Sequence, residues 1–268
     1  MRRREGGGQC LAVSAFAEKV YESRELLEQY LAFHFASVQD YCPWAEAPRG
    51  ALAFPQRVAE LAMRHGQVAV GCGARALDLG CAVGGTALEL SRVYDEVLGV
   101  DLSENFVRHA EAVARGELNE FEILVEGSIR KKCKVVRSCA WRPECVHFLV
   151  GNACQLSPWP GDFDLVVMAN LLCRTPDPRA VLAQARSLVR PCGLLVITTP
   201  CTWLEQFTPK EKWLCENSGG TLTGLRTSLD ADFDLRERCD MPFLIREHER
   251  KYQWIVAEAT VWRRKKGW

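Results

Sequence analysis

From residue 75 onward, short apolar segments alternate with segments of helical periodicity. The apolar segments read ARALDLG, EVLGVDL, VHFLVGN, FDLVVMAN and GLLVITTP, and each is too short for a helix. Uninterrupted apolar strands of this kind are typical of a parallel sheet that is covered on both faces. The helical segments between them read GGTALELSRVY, SENFVRHAEAVARGEL and DPRAVLAQARSLV. The alternation therefore predicts a doubly wound α/β fold.

The two ends of the chain predict additions to this sheet. Residues 16–39 and 54–66 carry apolar residues at helical spacing, which predicts a pair of N-terminal helices. Near the other end, the run PFLIREHERKYQWIVAEATVWRR reads as two strands around a turn near Glu249–Lys251. We therefore expect a disordered start over 1–15 and a single domain over 16–268. That domain would consist of a helical cap (16–66) and a core (75–262), whose mostly parallel seven-stranded sheet ends in an antiparallel hairpin.

The charge balance limits the partners that the chain can attract. Lys+Arg and Asp+Glu both number 34, so the formal net charge is zero. A neutral protein lacks the field that gathers nucleic acid or an anionic membrane, which argues against both as partners. No stretch approaches the roughly 20 apolar residues of a membrane span. We expect a cytoplasmic protein, and the sequence does not indicate its oligomeric state.

Cysteine and histidine usage argues against a structural metal or a disulfide scaffold. The chain has 13 cysteines, an odd number, and no signal peptide is recognisable. The five histidines are dispersed, and Cys133, Cys139 and Cys145 are spaced by six rather than in the C-x-x-C pairs usual at zinc sites. We therefore predict no metal. The basic, cysteine-containing segment 127–145 reads as an exposed hairpin or loop whose charges are solvated.

The first candidate ligand-binding motif is DLGCAVGG, which follows the first strand and opens a helix. Its glycines, Gly80 and Gly84, permit a tight turn and let the backbone come close to a ligand. The spacing D-x-G-x-x-x-G differs from the dinucleotide fingerprint, and Ala82 stands at the position of the middle glycine. We predict ligand contacts from Asp78, Gly80, Cys81 and Gly84. An ordinary glycine-rich turn is the alternative.

Three further positions follow strands in the same way. Asp101 ends the second strand, 21 positions after Gly80, where a carboxylate can accept two ribose hydroxyls. The alternative is that Asp101 belongs to the N-cap region of the next helix, with Ser103 as the cap. Asn152 follows the third strand and Asn170 the fourth. Ligands of doubly wound sheets bind outside the carboxyl ends of the strands, so the four motifs together predict one binding crevice.

The motif DLGCAVGG resembles motif I of class I methyltransferases, usually written D/E-x-G-x-G-x-G. The resemblance implies a Rossmann-like fold and S-adenosylmethionine as cofactor. It also implies roles for single residues: Asp78 near the amino-acid part of the cofactor, Asp101 at the ribose, and Asn152 with Ala153 at the adenine. Asn170 would line the cleft where methyl donor and acceptor meet.

The sequence is also similar to a narrower group, the mercaptohistidine N-methyltransferase domains of ovothiol-biosynthesis enzymes. The matching stretches are YESRELLEQYLAFHF, ALDLGCAVGG, FDLVVMANLLCRTPDP and GLLVITTPCTWLEQFTPKEKWL, and the likeness covers roughly residues 20–262. It implies transfer of a methyl group to an imidazole nitrogen of a thiol-bearing histidine. Two alternatives stay open: a cofactor-binding or interaction protein without catalysis, and a methyltransferase of protein or nucleic acid.

Candidate acceptor-site residues come from the first helix and from the block after the fifth strand. Tyr30 and His34 are four positions apart and so share a helix face. Aromatic rings would pack against the acceptor and exclude water. The predicted catalytic residues are Tyr30, His34, Asn170 and Glu205, and the predicted substrate contacts are Tyr21, Trp203, Phe207 and Trp213. For His34, Tyr30 and the two tryptophans, simple packing is the alternative.

Overall fold

The structure is a computed structural model that describes residues 20–66, 68, 70–156, 161–216 and 218–266. The disordered start predicted for residues 1–15 lies outside the described residues, as do the first four residues of the predicted cap.

One seven-stranded sheet forms the centre of the molecule, and a two-stranded sheet lies beside it. The strands are β1 (Arg75–Leu79), β2 (Glu96–Asp101), β3 (Glu120–Glu126), β4 (Ile129–Lys134), β5 (Val146–Val150), β6 (Phe163–Ala169), β7 (Val189–Thr199), β8 (Phe233–His248) and β9 (Lys251–Arg264). The large sheet has the order β5-β2-β1-β6-β7-β9-β8. Neighbours from β5 to β7 pair in parallel, and β9 runs antiparallel to both β7 and β8. The predicted Rossmann-like sheet with an antiparallel C-terminal hairpin is confirmed.

Helices cover both faces of this sheet. They are α1 (Arg24–Phe35), α2 (Val38–Tyr41), α3 (Phe54–Gly66), α4 (Gly85–Leu90), α5 (Glu104–Ala114), α6 (Pro178–Leu188) and α7 (Thr221–Leu229), with 3-10 turns at Arg49–Ala51, Pro143–Cys145, Leu172–Arg174 and Lys210–Lys212. Successive strand residues alternate between two cores: Ala76 packs with α1, α3, α4 and α5, whereas Leu77 packs with α6 and α7. The double cover explains why the strands are apolar throughout, because each buried side chain contributes about 1.5–3 kcal/mol.

Within the described residues, the helical cap is broken into separate helices where the periodicity of residues 16–39 suggests a continuous one. Helix α1 begins after Ser23, whose Oγ accepts a hydrogen bond from the Leu26 N–H, and it ends at Ala36, which is extended. Ser37 then caps α2 by accepting from the Asp40 N–H. Serine favours such capping because its hydroxyl satisfies an N–H that the first helical turn leaves unpaired.

The hairpin of β8 and β9 is longer than the sheet that it completes. Strand β7 pairs with residues 258–263 only, so residues 241–257 project past the carboxyl end of β7. The cap rests on this projection: the Tyr41 Oη donates to the Leu244 carbonyl at 2.8 Å, and the Gln29 Nε2 donates to the Arg246 carbonyl at 2.9 Å. The cap and the hairpin therefore form a roof over the carboxyl ends of the parallel strands.

The small sheet of β3 and β4 packs against α1 and forms ion pairs with it. Arg130 pairs with Glu28 at 2.8 Å, and Arg24 pairs with Glu122 at 2.8 Å. We predicted an exposed hairpin with solvated charges in this region. The hairpin is present, but Arg130 is paired with a buried glutamate, because the hairpin folds back onto α1.

Candidate active site

A cavity of about 460 Å³ lies at the carboxyl ends of β1, β2, β5 and β6, under α1 and the projecting hairpin. Its size is within the range usual for small-molecule sites. It is lined by the loop Asp78–Ala82, Asp101, Asn152, Ala153, Asn170, Leu171, Arg174, Phe207, Tyr21, Tyr30, Phe33, His34, Phe54, Phe106, Phe243, Ile245, Gln253 and Ile255, among others. Gly80, Cys81, Ala82 and the carboxylate of Asp101 thus face one crevice. Gly84, which the sequence also predicted as a ligand contact, does not line it, because it packs against Phe148 and Ala110.

The loop after β1 depends on three residues with positive φ. Gly80 (φ 80°) and Gly84 (φ 88°) adopt the left-handed conformation that glycine tolerates, and a Cβ on Gly80 would lie 2.9 Å from the Leu171 side chain. Ala82 adopts φ 49° although it is not a glycine. Its N–H donates to the Asp101 Oδ2 at 2.9 Å, and this charge-assisted hydrogen bond holds the turn. The departure from the usual motif is therefore accommodated.

Asp78 is a buried carboxylate with no hydrogen-bond partner of normal geometry among the described residues. Burial raises its pKa to about 7, the neighbouring Asp101 adds to the rise, and the backbone N–H of Ala87 offsets only part of it. An unpaired buried charge is costly, so this carboxylate suits a cationic partner. The amino group of S-adenosylmethionine fits that requirement.

Asp101 is held by two backbone groups. The Ala82 N–H donates to Oδ2 at 2.9 Å and the Ser103 N–H to Oδ1 at 3.0 Å. Burial raises the pKa of Asp101, although these hydrogen bonds oppose the rise. The N-cap of α5 is Ser103, whose Oγ accepts from the Phe106 N–H. Asp101 is therefore not the cap, and each of its oxygens keeps a lone pair for a hydroxyl donor.

The two asparagines that line the cavity are fixed by neighbouring groups. The Asn152 Oδ1 accepts from the Cys154 N–H at 2.9 Å, which forms a tight turn after β5. The Asn170 Oδ1 accepts from the Thr198 Oγ1 at 2.9 Å, and Asn170 itself has φ 53°. Both lie where the sequence places them, at the ends of their strands, and their ligand contacts stay predictions.

His34 contacts the start of α4 rather than standing free in the cavity. Its Nδ1 accepts the Gly85 N–H at 3.0 Å, and a Cβ on Gly85 would lie 2.5 Å from that nitrogen. Burial lowers the pKa of His34 to about 3, so the ring is neutral and carries its hydrogen on Nε2. A lone pair already engaged in this way is a poor base, so the geometry favours a positioning role over the catalytic role predicted from the sequence.

Aromatic rings form the other side of the cavity. The Tyr30 ring centroid lies 4.8 Å from that of Phe106 and 6.4 Å from that of Tyr21. Tyr21 also contacts Phe207, with centroids 6.2 Å apart. Burial raises the pKa of Tyr30 to about 12 and the pKa of Tyr21 well above its ordinary value, so both phenols are neutral near pH 7.

Three predicted acceptor residues do not line the cavity. The Trp203 Nε1 donates to the Thr221 Oγ1 at 3.1 Å, and the Trp213 Nε1 donates to the Thr208 carbonyl at 2.7 Å. Glu205 is exposed. The structure corrects the sequence-based expectation here: both tryptophans pack against the core under α6 and α7, and of the predicted acceptor residues in this block only Phe207 reaches the cavity.

Sequence reasoning missed the hairpin side of the cavity and one cation. Phe243, Ile245, Gln253 and Ile255 line it from the projecting part of β8 and β9, and Arg174 lines it from the turn after β6. The hairpin residues alternate like those of any strand, and nothing local shows which face meets a ligand. Arg174, four residues after Asn170, could have been found, because residues just past a strand end are the expected lining positions.

The described residues contain no group of three or more His, Cys, Asp or Glu arranged to hold a metal ion. In the same part of the chain, no helix has the length and apolar character needed to cross a membrane. The cysteines that the structure describes form no disulfide.

A family model described as "Methyltransferase domain" matches residues 44–232. The chain belongs to this methyltransferase family, and the assignment makes S-adenosylmethionine its cofactor. Curated relatives include ubiquinone biosynthesis O-methyltransferases from Xanthomonas campestris pv. campestris (29% identical) and Thiobacillus denitrificans (30% identical). Each match spans 127 residues, which is 47% of this chain and 43% or 44% of the relative. The chain therefore matches less than half the length of these relatives.

Solved structures share the fold at low identity. A magnesium protoporphyrin IX methyltransferase from Synechocystis with bound S-adenosylmethionine is 17% identical, with TM-score 0.58, over 94% of this chain and 97% of that one. An N-methyltransferase from Bradyrhizobium japonicum with bound S-adenosylhomocysteine is 16% identical, with TM-score 0.51, over 89% of this chain and 98% of that one. At this identity the likeness establishes the fold, and the reaction has to be argued from the site.

Proposed function

We propose that this chain transfers a methyl group from S-adenosylmethionine to a small heteroaromatic acceptor, and in the sharper form of the proposal to an imidazole nitrogen of a thiohistidine-like compound. The observation that carries the proposal is one cavity with two chemically different halves. The donor half consists of the loops after β1, β2 and β5. The acceptor half consists of Tyr21, α1, the first turn of α5, the segments after β6 and β7, and the projecting hairpin.

The donor half has the groups that the cofactor requires. The unpartnered carboxylate of Asp78 would pair with its amino group, and the remaining lone pairs of Asp101 would accept the ribose hydroxyls. Asn152 and Ala153 would lie at the adenine, and Gly80 lets the backbone approach closely. When bound, S-adenosylmethionine supplies an electrophilic methyl group on a sulfonium centre. The protein therefore contributes mainly position, desolvation and electrostatics.

The acceptor half suits a flat ring. Tyr21, Tyr30, Phe106 and Phe207 present their rings at centroid separations of 4.8–6.4 Å, and Phe243 closes the side toward the hairpin. Such rings fix the plane of a heteroaromatic acceptor and exclude water. Alignment of the two reacting atoms is worth on the order of 7–11 kcal/mol in the best intramolecular analogues.

No free base with a pKa near neutrality faces the acceptor half among the described residues. His34 engages its lone pair with Gly85, and the tyrosines have pKa values raised by burial. This favours an acceptor that attacks with a lone pair it already has, such as a neutral imidazole nitrogen. A phenolic hydroxyl, by contrast, profits from a general base.

Methylation of a hydroxyl oxygen is the second candidate, because the curated relatives are named O-methyltransferases. Asp78, whose pKa burial raises to about 7, is a lining carboxylate that could accept a proton near neutral pH. It could do so only if the amino group of the cofactor left it free. In the first candidate Asp78 therefore binds the amino group of the cofactor, whereas in the second it accepts a proton from the hydroxyl.

The roofed cavity argues against the broader alternatives. A nucleic acid strand would need an open groove with several cations, whereas the described lining residues include a single arginine and no lysine. A polypeptide acceptor would also need an open groove, whereas the cap and the hairpin cover this cavity. An interaction protein that binds no cofactor would be expected to fill the crevice with side chains, whereas about 460 Å³ of the crevice is open. A cofactor-binding protein without catalysis would keep the cavity, and only an activity measurement separates it from an enzyme.

A methylation screen tests the proposal. The protein is incubated with S-adenosylmethionine and thiohistidine, histidine or a catechol, and release of S-adenosylhomocysteine is followed while mass spectrometry locates the methyl group. We expect a methyl group on a ring nitrogen of thiohistidine. Methylation of the catechol oxygen alone would establish the second candidate. Binding of S-adenosylhomocysteine without any methylated product from the three compounds would overturn the proposal.

A further inference from the structure

Arg174 is the one arginine or lysine among the described residues that line the cavity. It is the last residue of the 3-10 turn Leu172–Arg174, which follows β6. The guanidinium carbon lies 5.0 Å from the ring centroid of Phe207, a cation–π contact. A fixed positive charge therefore stands beside the aromatic rings of the acceptor half.

Backbone groups hold this side chain in place without neutralising it. The Nη1 donates to the Cys173 and Thr202 carbonyls, each at 3.1 Å. In the described part of the chain, no carboxylate lies within 4.0 Å of the guanidinium, and no hydrogen bond is formed by its Nε or Nη2. Three of the five guanidinium N–H groups are thus unused by the described residues at the wall of a cavity, and their planar arrangement matches a carboxylate.

Arg174 follows a different strand from Asp78 and Asp101, the two carboxylates proposed to bind the cofactor. Asp101 ends β2 and Asp78 lies in β1, whereas Arg174 follows β6, on the side of the sheet toward β7. Its positive charge acts on Tyr21 and Tyr30, whose pKa values it lowers against the larger effect of burial. These two phenols belong to the acceptor half. The charge that Arg174 is placed to meet is therefore on the acceptor.

We infer that Arg174 binds a carboxylate of the methyl acceptor and so selects acidic heteroaromatic compounds over their neutral or cationic analogues. This inference rests on the proposed function, because it assigns the acceptor half to a small ring compound. Arg174 would set the distance between the carboxylate and the reacting nitrogen, with Nη1 anchored to the backbone and Nε and Nη2 facing the ligand.

Binding measurements on a matched pair test the inference without any turnover. The probes are imidazole-4-acetate and imidazole-4-acetamide, titrated calorimetrically into the protein saturated with S-adenosylhomocysteine. We expect the carboxylate to bind at least about tenfold more tightly than the amide, as a charged hydrogen-bonded pair implies. Arg174→Gln should reduce this preference to less than about twofold, and Arg174→Lys should retain part of it. Arg179→Gln is the matched control, because Arg179 is exposed on α6 and does not line the cavity.

Two results would overturn the inference. One is equal affinity of the unmodified protein for the two probes. The other is loss of more than about tenfold in S-adenosylhomocysteine affinity in Arg174→Gln, which would mean that the guanidinium serves the carboxylate of the cofactor. We expect the affinity of Arg174→Gln for S-adenosylhomocysteine to stay within about twofold of that of the unmodified protein.

Failure of the inference can be told apart from failure of the proposed function. If the carboxylate preference depends on Arg174 but no heteroaromatic compound is methylated, the proposed function is wrong and the assignment of Arg174 stands. If acidic and neutral ring compounds are methylated with equal kcat/KM, the proposed function stands and the assignment of Arg174 is wrong.

Discussion

The donor half and the acceptor half of the cavity are built in different ways. Each residue of the donor half lies on or just after a strand, and all of these residues fall between positions 78 and 153. The acceptor half combines segments as far apart as Tyr21 and Ile255. The local sequence of each strand and the loop after it therefore determines where the residues of the donor half lie. The acceptor half, by contrast, forms only when the cap and the hairpin have folded over the sheet.

The two halves also differ in charge. Asp78 and Asp101 are carboxylates whose pKa values burial raises, and both belong to the donor half. The acceptor half holds neutral tyrosines and the cation Arg174. Negative groups thus face the place proposed for the cationic donor, and a positive group faces the place proposed for the acceptor. Such a fixed arrangement orients two differently charged ligands before any reaction occurs.

The largest expected effect is on the donor half alone. Asp101→Ala removes both carboxylate oxygens proposed to accept the ribose hydroxyls and also releases the Ala82 N–H. We expect S-adenosylhomocysteine to bind about 100-fold more weakly by calorimetry, since hydrogen bonds to a charged group contribute roughly 1.5–3 kcal/mol. Asp234→Asn, an exposed change on β8, serves as control. Undiminished binding in Asp101→Ala would remove this residue from the ribose role.

A change on the projecting hairpin should affect the acceptor half alone. Phe243 lines the cavity and packs against Phe54, with centroids 4.7 Å apart. For Phe243→Leu we expect kcat/KM for thiohistidine to fall about tenfold, equivalent to about 1.4 kcal/mol. S-adenosylhomocysteine affinity should stay within about twofold.

The matched control lies on the same strand. Phe233 is as buried as Phe243 but packs in the other core, away from the cavity. Phe233→Leu should destabilise the protein to a comparable extent in thermal unfolding and leave the kinetics unchanged. If both variants lose activity equally, the two halves of the cavity are not separable in this way.

The pH dependence of cofactor binding sharpens the comparison further. Asp78 has its folded-state pKa raised to about 7, so its ionised fraction, and with it the pairing with an amino group, grows as the pH rises through 7. S-adenosylhomocysteine should bind roughly eightfold more weakly at pH 6.0 than at pH 7.5. Asp78→Asn should bind weakly at both pH values.

The same carboxylate has the opposite effect on the unliganded fold. Because its folded-state pKa is raised, its contribution to the free energy of unfolding falls as the pH rises from about 4 to about 7. Asp78→Asn should therefore raise the thermal midpoint at pH 7.5 even as it weakens cofactor binding. A lower midpoint would show that the buried charge has a partner in solution.

The smallest expected effect concerns Glu205, which the sequence predicted as a catalytic residue. Glu205 is exposed and outside the cavity, so Glu205→Gln should leave kcat, KM and S-adenosylhomocysteine affinity within about twofold. A loss of kcat beyond tenfold would mean that the segment around Glu205 closes over the acceptor during turnover. That result would return Glu205 to the acceptor half.

Sequence reasoning reached the sheet, the hairpin turn and the four strand-end motifs, because hydrophobic periodicity and strand order restrict where ligand-binding loops can lie. It placed Trp203 and Trp213 at the acceptor because aromatic residues after the fifth strand suggested a lid. Their indole N–H groups instead meet Thr221 and the Thr208 carbonyl. Indole packs equally well in a core or against a ligand, so its presence in a sequence cannot distinguish the two.

The amino-acid order alone determined the class of fold and, through the resemblance of DLGCAVGG to motif I of class I methyltransferases, the cofactor. It also predicted that the residues after β1, β2, β5 and β6 line one cavity, since these strand ends follow from short segments whose conformation is set by their neighbours in the chain. Only tertiary structure decided that His34 accepts from Gly85, that Arg174 contacts Phe207 at the cavity wall, and that the hairpin supplies Phe243. Those contacts join residues many positions apart. Their geometry depends on how cap, sheet and hairpin pack together, which no local pattern specifies.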